Sequence, residues 1–214
     1  MLGLKPVRLL PARERVASAL REAILSRQVS EGDVLALEAT AQELGVSITP
    51  VREAFQILER DGLIELKQNK GAIVLGLTEK TIREHYQVRA FLEGGACALC
   101  CENNADISAV GNCIDSAQKA LERNDPDSYA DYNQSFHYEI WSAAGNEKLK
   151  KMLAELWNGL SMGLKATEEE YAKISQKEHK RIYDALQKKN PDAARKEMER
   201  HIYRSMEDVL TKYP

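Results

Sequence analysis

The 214-residue chain is 43% hydrophobic and 29% charged, a composition that excludes disorder and leaves room for one large domain or two modest ones. Aromatics amount to 6%, and 12 Gly with 6 Pro are too few for the many turns of a β-sandwich or barrel, so a mostly helical fold is expected. Net charge is −3, with ten basic and ten acidic residues up to Gly76 and 20 against 23 beyond it, so any surface for a polyanion must be local. No run approaches the ~20 apolar residues of a membrane span, and Met1 to Arg8 lacks the apolar core of a signal peptide, so a cytoplasmic protein without membrane partners is expected. Of the four cysteines, Cys97, Cys100 and Cys101 crowd into one apolar helical run, where buried, reduced thiols are a better reading than disulfides.

From Ala12 to Gln28 the residues Val16, Ala19, Leu20, Ala23 and Ile24 recur every three or four positions, the stripe of an amphipathic helix. A second helix is expected from about Leu37 to Leu44, stopped by Gly45 where a left-handed residue belongs. Ser47 is placed to cap a third helix, with Pro50 in its first turn and Val51, Ala54, Phe55 and Leu58 on its buried side. The β-type runs from Leu63 to Lys67 and from Ala72 to Leu75, separated by Gln68-Asn69-Lys70-Gly71, predict a hairpin. Beyond Gly76 the pattern is helical throughout: Thr78 to Asn103, Asp106 to Arg123, Pro126 to Ala144, Glu147 to Lys165, roughly Glu168 to Lys189, and Pro191 to Leu210. Asp125-Pro126 and Asn190-Pro191 each set a capping residue before a proline at the first helical position.

Two helices around a tight turn at Gly45, followed by a hairpin, spell a winged helix-turn-helix whose third helix can enter a DNA major groove. Its first turn would present Ser47, Ile48, Thr49, Pro50 and Arg52, offering hydroxyls and free N–H groups to phosphates and a guanidinium to a phosphate or a guanine edge. Lys67, Lys70 and Gly71 would serve the hairpin tip, provided that Glu53, Glu59 and Glu65 point away from the duplex. The same segment also reads as a small helical subdomain in which Ser-x-Thr-Pro is only a cap. The run from Glu43 to Ala54, continued by Leu58-Glu59-Arg60-Asp61-Gly62-Leu63-Ile64 and Gly71-Ala72-Ile73-Val74, closely resembles the signature of GntR-family bacterial transcription regulators. That resemblance implies DNA contact by Ser47, Thr49, Pro50 and Arg52, with Gly71 at the wing tip. Ile48 stands where the family most often has a base-reading arginine, and Thr40 where a buried leucine is usual.

In the helical remainder, His137, His179 and His201 sit on three different predicted helices, each on an inward stripe, with Asn133 one turn before the first. Three inward imidazoles with an amide oxygen suit a metal site built from facing helices, and they equally suit hydrogen-bonded core histidines. The segments Asn133-Gln134-Ser135-Phe136-His137, Ala144-Gly145-Asn146, Glu178-His179-Lys180-Arg181-Ile182 and His201 resemble the FCD ligand-binding domain of the FadR-type GntR subfamily. By that resemblance Asn133, His137, His179 and His201 would hold a divalent metal, zinc or nickel, beside a cavity for a small carboxylate effector. The first ligand is commonly Asp in that family, and Asn is a weaker, neutral ligand. Arg89 and Glu93 match the family's Arg-x-x-Leu-Glu pattern, and Arg89 reads either as the partner of the effector carboxylate or as half of a structural pair with Glu93. His85 reads as a surface or interdomain residue, and Gly94-Gly95-Ala96 beside the cysteines as a site of close helix approach, such as a dimer interface.

The expected fold class is mainly α: a winged helix-turn-helix over residues 1–77 and an all-helical effector-binding and dimerisation bundle over residues 78–214. The expected protein is not an enzyme but a homodimeric regulator that binds a short inverted-repeat operator in double-stranded DNA under control of the small carboxylate. A metal-free regulator responding to an acyl thioester is one alternative. A metal-dependent hydrolase is another, but no companion acid at fixed spacing, phosphate loop or nucleophile motif accompanies the histidines.

Overall fold

The computed structural model describes residues 11–67, 71–157 and 169–211 and divides the chain into two compact units, Met1–Leu77 and Thr78–Pro214. In the first, α1 (Ala12–Leu25), α2 (Leu37–Glu43) and α3 (Ile48–Arg60) pack with a small sheet of β1 (Val34–Leu35), β2 (Ile64–Lys67) and β3 (Gly71–Val74). Val16, Leu20 and Ile24 of α1 and Val51, Ala54, Phe55 and Leu58 of α3 are all buried, and the two helices pack on each other as their stripes require. Gly45 takes φ +65 just past α2, the left-handed value a helix-ending glycine supplies without strain. Ser47 is the N-cap residue of α3, yet its side chain makes no capping hydrogen bond, so its hydroxyl is left to the surface. Arg21 of α1 and Asp61 at the end of α3 form an ion pair at 2.6 Å, with both side chains largely buried.

The hairpin expected from sequence is present as β2 and β3, and β1 adds a third antiparallel strand on its other edge, in the order β1-β3-β2. Val34 pairs with Ile73 and Leu35 with Ala72, while Ile64, Glu65, Leu66 and Lys67 pair with Val74, Ile73, Ala72 and Gly71. A two-residue strand is too short to show alternation, which is why β1 was missed.

The second unit contains α4 (Glu79–Glu102), α5 (Ser108–Glu122), α6 (Pro126–Ala143), α7 (Glu147–Leu156), α8 (Glu169–Gln187) and α9 (Pro191–Leu210). The caps of α4, α6, α7 and α9 act as their residue types predict. Asp125, Asn146 and Asn190 accept from Ser128, Leu149 and Ala193 N–H groups at 3.0 Å, and Thr78 accepts from Thr81 at 3.1 Å. The expected C-terminal half of the helix from Glu147 lies outside the described residues, as do Gln68, Asn69, Lys70 and Glu168. The central pairing sets α4 against α9, with α5 and α6 packed together and α8 against α9 and α5. At Gly94 a methyl group would meet Arg195 Cγ at 3.1 Å and Glu199 Cγ at 3.0 Å, so this glycine serves the α4–α9 contact within one chain, whereas a methyl group at Gly95 would meet nothing within 4 Å among the described residues. Cys97, Cys100 and Cys101 are buried free thiols in the same core, and Cys100 Sγ donates to the Ile140 carbonyl at 3.3 Å.

Candidate functional site

The α3 helix presents two faces. Val51, Ala54, Phe55 and Leu58 are at most 1% exposed, whereas Ser47, Ile48, Thr49 and Arg52 are exposed and Pro50 is half-buried in the first turn. The hydroxyls and the guanidinium thus lie on the solvent side because the apolar period places them there. Arg52 makes no ion pair among the described residues. Nearby charges are engaged elsewhere: Glu53 lies 4.0 Å from Arg13, Glu59 Oε1 accepts the Leu66 N–H at 3.1 Å, and Glu65 pairs with Lys67 at 2.6 Å. The Lys67 charge proposed for DNA is therefore partly compensated. Lys70 lies outside the described residues. Gly71 has a demand on it that sequence did not reveal: φ is +84 and a Cβ would stand 2.0 Å from the Leu35 carbonyl oxygen of β1.

In the helical unit the three histidines meet. His137 of α6, His179 of α8 and His201 of α9 are at most 3% exposed, and one ring nitrogen of each lies within 4.8 Å of the others. His179 Nε2 and His201 Nε2 are 3.4 Å apart, close to the spacing of about 3.4 Å between nitrogens bound at about 2.1 Å around a tetrahedral metal. Asn133 is half-buried on α6, one turn before His137. Behind the imidazoles stand two carboxylates: Glu93 Oε2 lies 2.6 Å from His137 Nδ1, and Glu178 Oε2 lies 2.8 Å from His201 Nδ1. Glu93 also accepts from Trp141 Nε1 at 3.2 Å, and Arg204 donates to Glu178 through Nε and Nη2 at 3.1 and 2.6 Å. His179 stacks on Phe136 with ring centroids 4.0 Å apart.

Electrostatics keep His179 and His201 neutral where a cation would sit and the two carboxylates ionised behind the cluster. Burial opposes the ionisation of Glu93, yet Arg89 and His137 hold it well below the usual carboxylate range; Glu178, buried too, is held down to about 2 by its hydrogen bonds from His201 and Arg204. Burial drives His179 well below the usual histidine range, and takes His201 down to about 4 against the pull of Glu178. An imidazole that gives its Nδ1–H to a carboxylate, the placement of His137 beside Glu93 and of His201 beside Glu178, leaves Nε2 as the free lone pair, the form in which histidine binds a metal. The donor set therefore fits a divalent ion of the zinc or nickel type.

Arg89 is placed differently from the effector-contacting role. Its Nε and Nη2 both donate to Glu93 Oε1, at 2.8 and 2.6 Å, and its guanidinium lies over Trp157 and Tyr86, so the geometry favours the pair with Glu93. His85 is half-buried rather than on the surface. Sequence reasoning gave no role to Glu178, Arg204 or Trp157. Trp157, at the end of α7, packs on His137 with centroids 5.0 Å apart, and its Nε1 is buried with no hydrogen-bond partner among the described residues.

Residues 84–204 match the FCD domain, and residues 12–74 match the bacterial regulatory proteins of the gntR family. The chain belongs to the GntR family. Its relatives include the HTH-type transcriptional regulator YdhC of Bacillus subtilis, 27% identical over 195 residues, 89% of this chain and 87% of that protein. The gluconate operon transcriptional repressor of the same organism is 31% identical over 148 residues, 68% of this chain and 59% of the repressor. Among solved structures, Escherichia coli McbR/YncC superposes with a TM-score of 0.69 at 22% identity, covering 96% of this chain and all of that one. A GntR transcriptional regulator from Rhodococcus sp. RHA1 does so at 0.63 and 26% identity, covering 94% and 99%. The regulator thus joins a winged helix-turn-helix of the GntR type to a helical FCD domain, in a family of transcription regulators rather than enzymes. Among the described residues no helix is long and apolar enough to cross a membrane.

Proposed function

We propose that this regulator binds an inverted-repeat operator as a homodimer and answers to a small carboxylate bound at a divalent metal in its helical domain. The observation that carries the reading is the convergence of three buried imidazoles from α6, α8 and α9, with one ring nitrogen of each within 4.8 Å of the others, a spacing that suits ligands of one cation. Asn133 would add a neutral oxygen, and remaining coordination positions would take effector oxygens. The bound ion would supply Lewis acidity toward that carboxylate. Trp157 Nε1, a buried donor without a partner among the described residues, would hydrogen-bond an effector oxygen beside His137.

On the DNA side, the exposed turn of Ser47, Ile48, Thr49 and Arg52 would enter the major groove, with Pro50 setting the turn and Lys70 and Gly71 at the wing. Ile48 in this turn would read an apolar base edge, such as a thymine methyl, in place of a hydrogen-bonded guanine. Dimerisation is supported by α4, where Phe91 is 67% exposed and Val88 47% exposed on one side of the helix, a surface a second copy could cover. The effector would act by binding one arrangement of the two DNA-binding heads better than another.

Elemental analysis before and after chelation, with a thermal-shift screen of small carboxylic acids, tests the reading. Stoichiometric metal and an acid that stabilises only the loaded protein are expected. Absence of metal and of any acid-induced shift would leave the histidines as core residues and remove the effector assignment.

A further inference from the structure

The three imidazoles are not held alike. His137 and His201 each carry a buried carboxylate on Nδ1, from Glu93 and Glu178, and each carboxylate is gripped in turn by a guanidinium, Arg89 or Arg204. Glu93 reaches His137 from α4, and Glu178 reaches His201 from α8, so each ligand is oriented from a helix other than its own. His179 has no such carboxylate among the described residues and is held by its stack on Phe136. A neutral imidazole that donates Nδ1–H to a carboxylate is fixed in tautomer and in ring rotation, and Nε2 is then aimed at one point.

We propose that Glu93 and Glu178 are positioning residues of the metal centre, each dedicated to one ligand, Glu93 to His137 and Glu178 to His201, with Arg89 and Arg204 as the outer supports of the two relays. This rests on the metal reading above. It also gives Arg89 a different task from direct contact with an effector: both donors of its fork already converge on Glu93 Oε1, and its effect on the site passes through Glu93 and then His137. The two relays share no residue, so their contributions should be separable.

The test is Zn²⁺ affinity of the full-length protein, measured by competition with a chromogenic chelator, for Glu93→Gln and Glu178→Gln alone and combined with His137→Ala or His201→Ala. Each Gln variant should bind Zn²⁺ about 10- to 100-fold more weakly. Glu93→Gln should have no further effect once His137 is Ala but keep its full effect when His201 is Ala; Glu178→Gln should show the reverse pattern. A general loss of packing would weaken binding in both backgrounds alike. Co²⁺ absorption of the Gln variants should change in band shape as well as intensity, because one nitrogen is misdirected rather than removed. If Glu93→Gln fails to fold, the Glu178→Gln pair decides the matter. Unchanged affinity in folded variants, or losses that ignore the pairing, overturns the proposal while leaving the metal centre standing. Failure of the unaltered protein to bind Zn²⁺ removes both.

Discussion

His137 Nδ1 lies 2.6 Å from Glu93 Oε2, joining residues 44 positions apart in the chain at a depth where neither side chain is more than 1% exposed. A carboxylate this deep is tolerable only because Arg89 lies against it and Trp141 donates to it. The histidine cluster is accordingly a device with a cost: it places ionisable groups in a core that would otherwise be apolar, and its stability depends on pH.

Acid should destabilise the metal-free protein. His179 and His201 have pKa values below the ordinary histidine range, so the unfolded chain takes up protons first as pH falls through about 6.5 toward about 4. Their contribution is present above that window and lost within it. Glu178, held down to about 2, loses its contribution between about 4.5 and that value, with the same sign. Urea midpoints in the presence of a chelator should fall steadily from pH 7.5 to pH 5; a flat or rising profile would contradict the neutral buried imidazoles.

His179→Ala should lower bound metal to well below one equivalent and abolish the effector response, while nonspecific DNA affinity in low salt stays within about twofold, since that term comes from phosphate contacts. Full metal content in the variant would sink the site.

Arg52→Ala should weaken operator binding by about tenfold or more per half-site, the scale of one lost base-edge or phosphate contact. Circular dichroism should not change, because Arg52 is exposed and makes no ion pair among the described residues, while Val51 beside it keeps the core. A fluorescence-anisotropy titration on a fragment selected by the unaltered protein would measure this, and equal affinities would count against the α3 assignment.

Gly71→Ala should destabilise the N-terminal unit by about 1–3 kcal/mol from backbone strain alone, with a further loss from the clash against Leu35. The unfolding transition of that unit should move to lower denaturant concentration while the helical unit keeps its own. A fully stable variant would show that β1 and β3 can separate without consequence.

Asp61→Ala should be more harmful than the double variant Arg21→Met with Asp61→Ala. The single change strands a largely buried Arg21, whose Nε already has no partner among the described residues, and losses of about 3–5 kcal/mol follow from such uncompensated burial. Chemical unfolding of the two variants side by side would measure the difference, and equal losses would show that Arg21 finds water or another partner.

Helices, caps and the recognition turn were legible in the sequence because they are local. Asp125-Pro126 and Asn190-Pro191 announce helix starts by their own chemistry, and the period of Val51, Ala54, Phe55 and Leu58 already determines which side of α3 faces solvent. The inward positions of His137, His179 and His201 follow from the same arithmetic.

Which atoms those inward groups meet was decided only by tertiary structure. β1 is two residues long and exists because β3 lies beside it, and that pairing, not the wing tip alone, is what demands glycine at position 71. Glu178 adjoins His179 in sequence but serves His201, because neighbouring residues on a helix point in different directions and the partner arrives from α9. Arg89 could be read as an effector clamp until Glu93 was seen to occupy its fork. Periodicity determines the direction of a side chain relative to its own helix; the identity of the atom at its tip depends on how helices from distant parts of the chain are packed together.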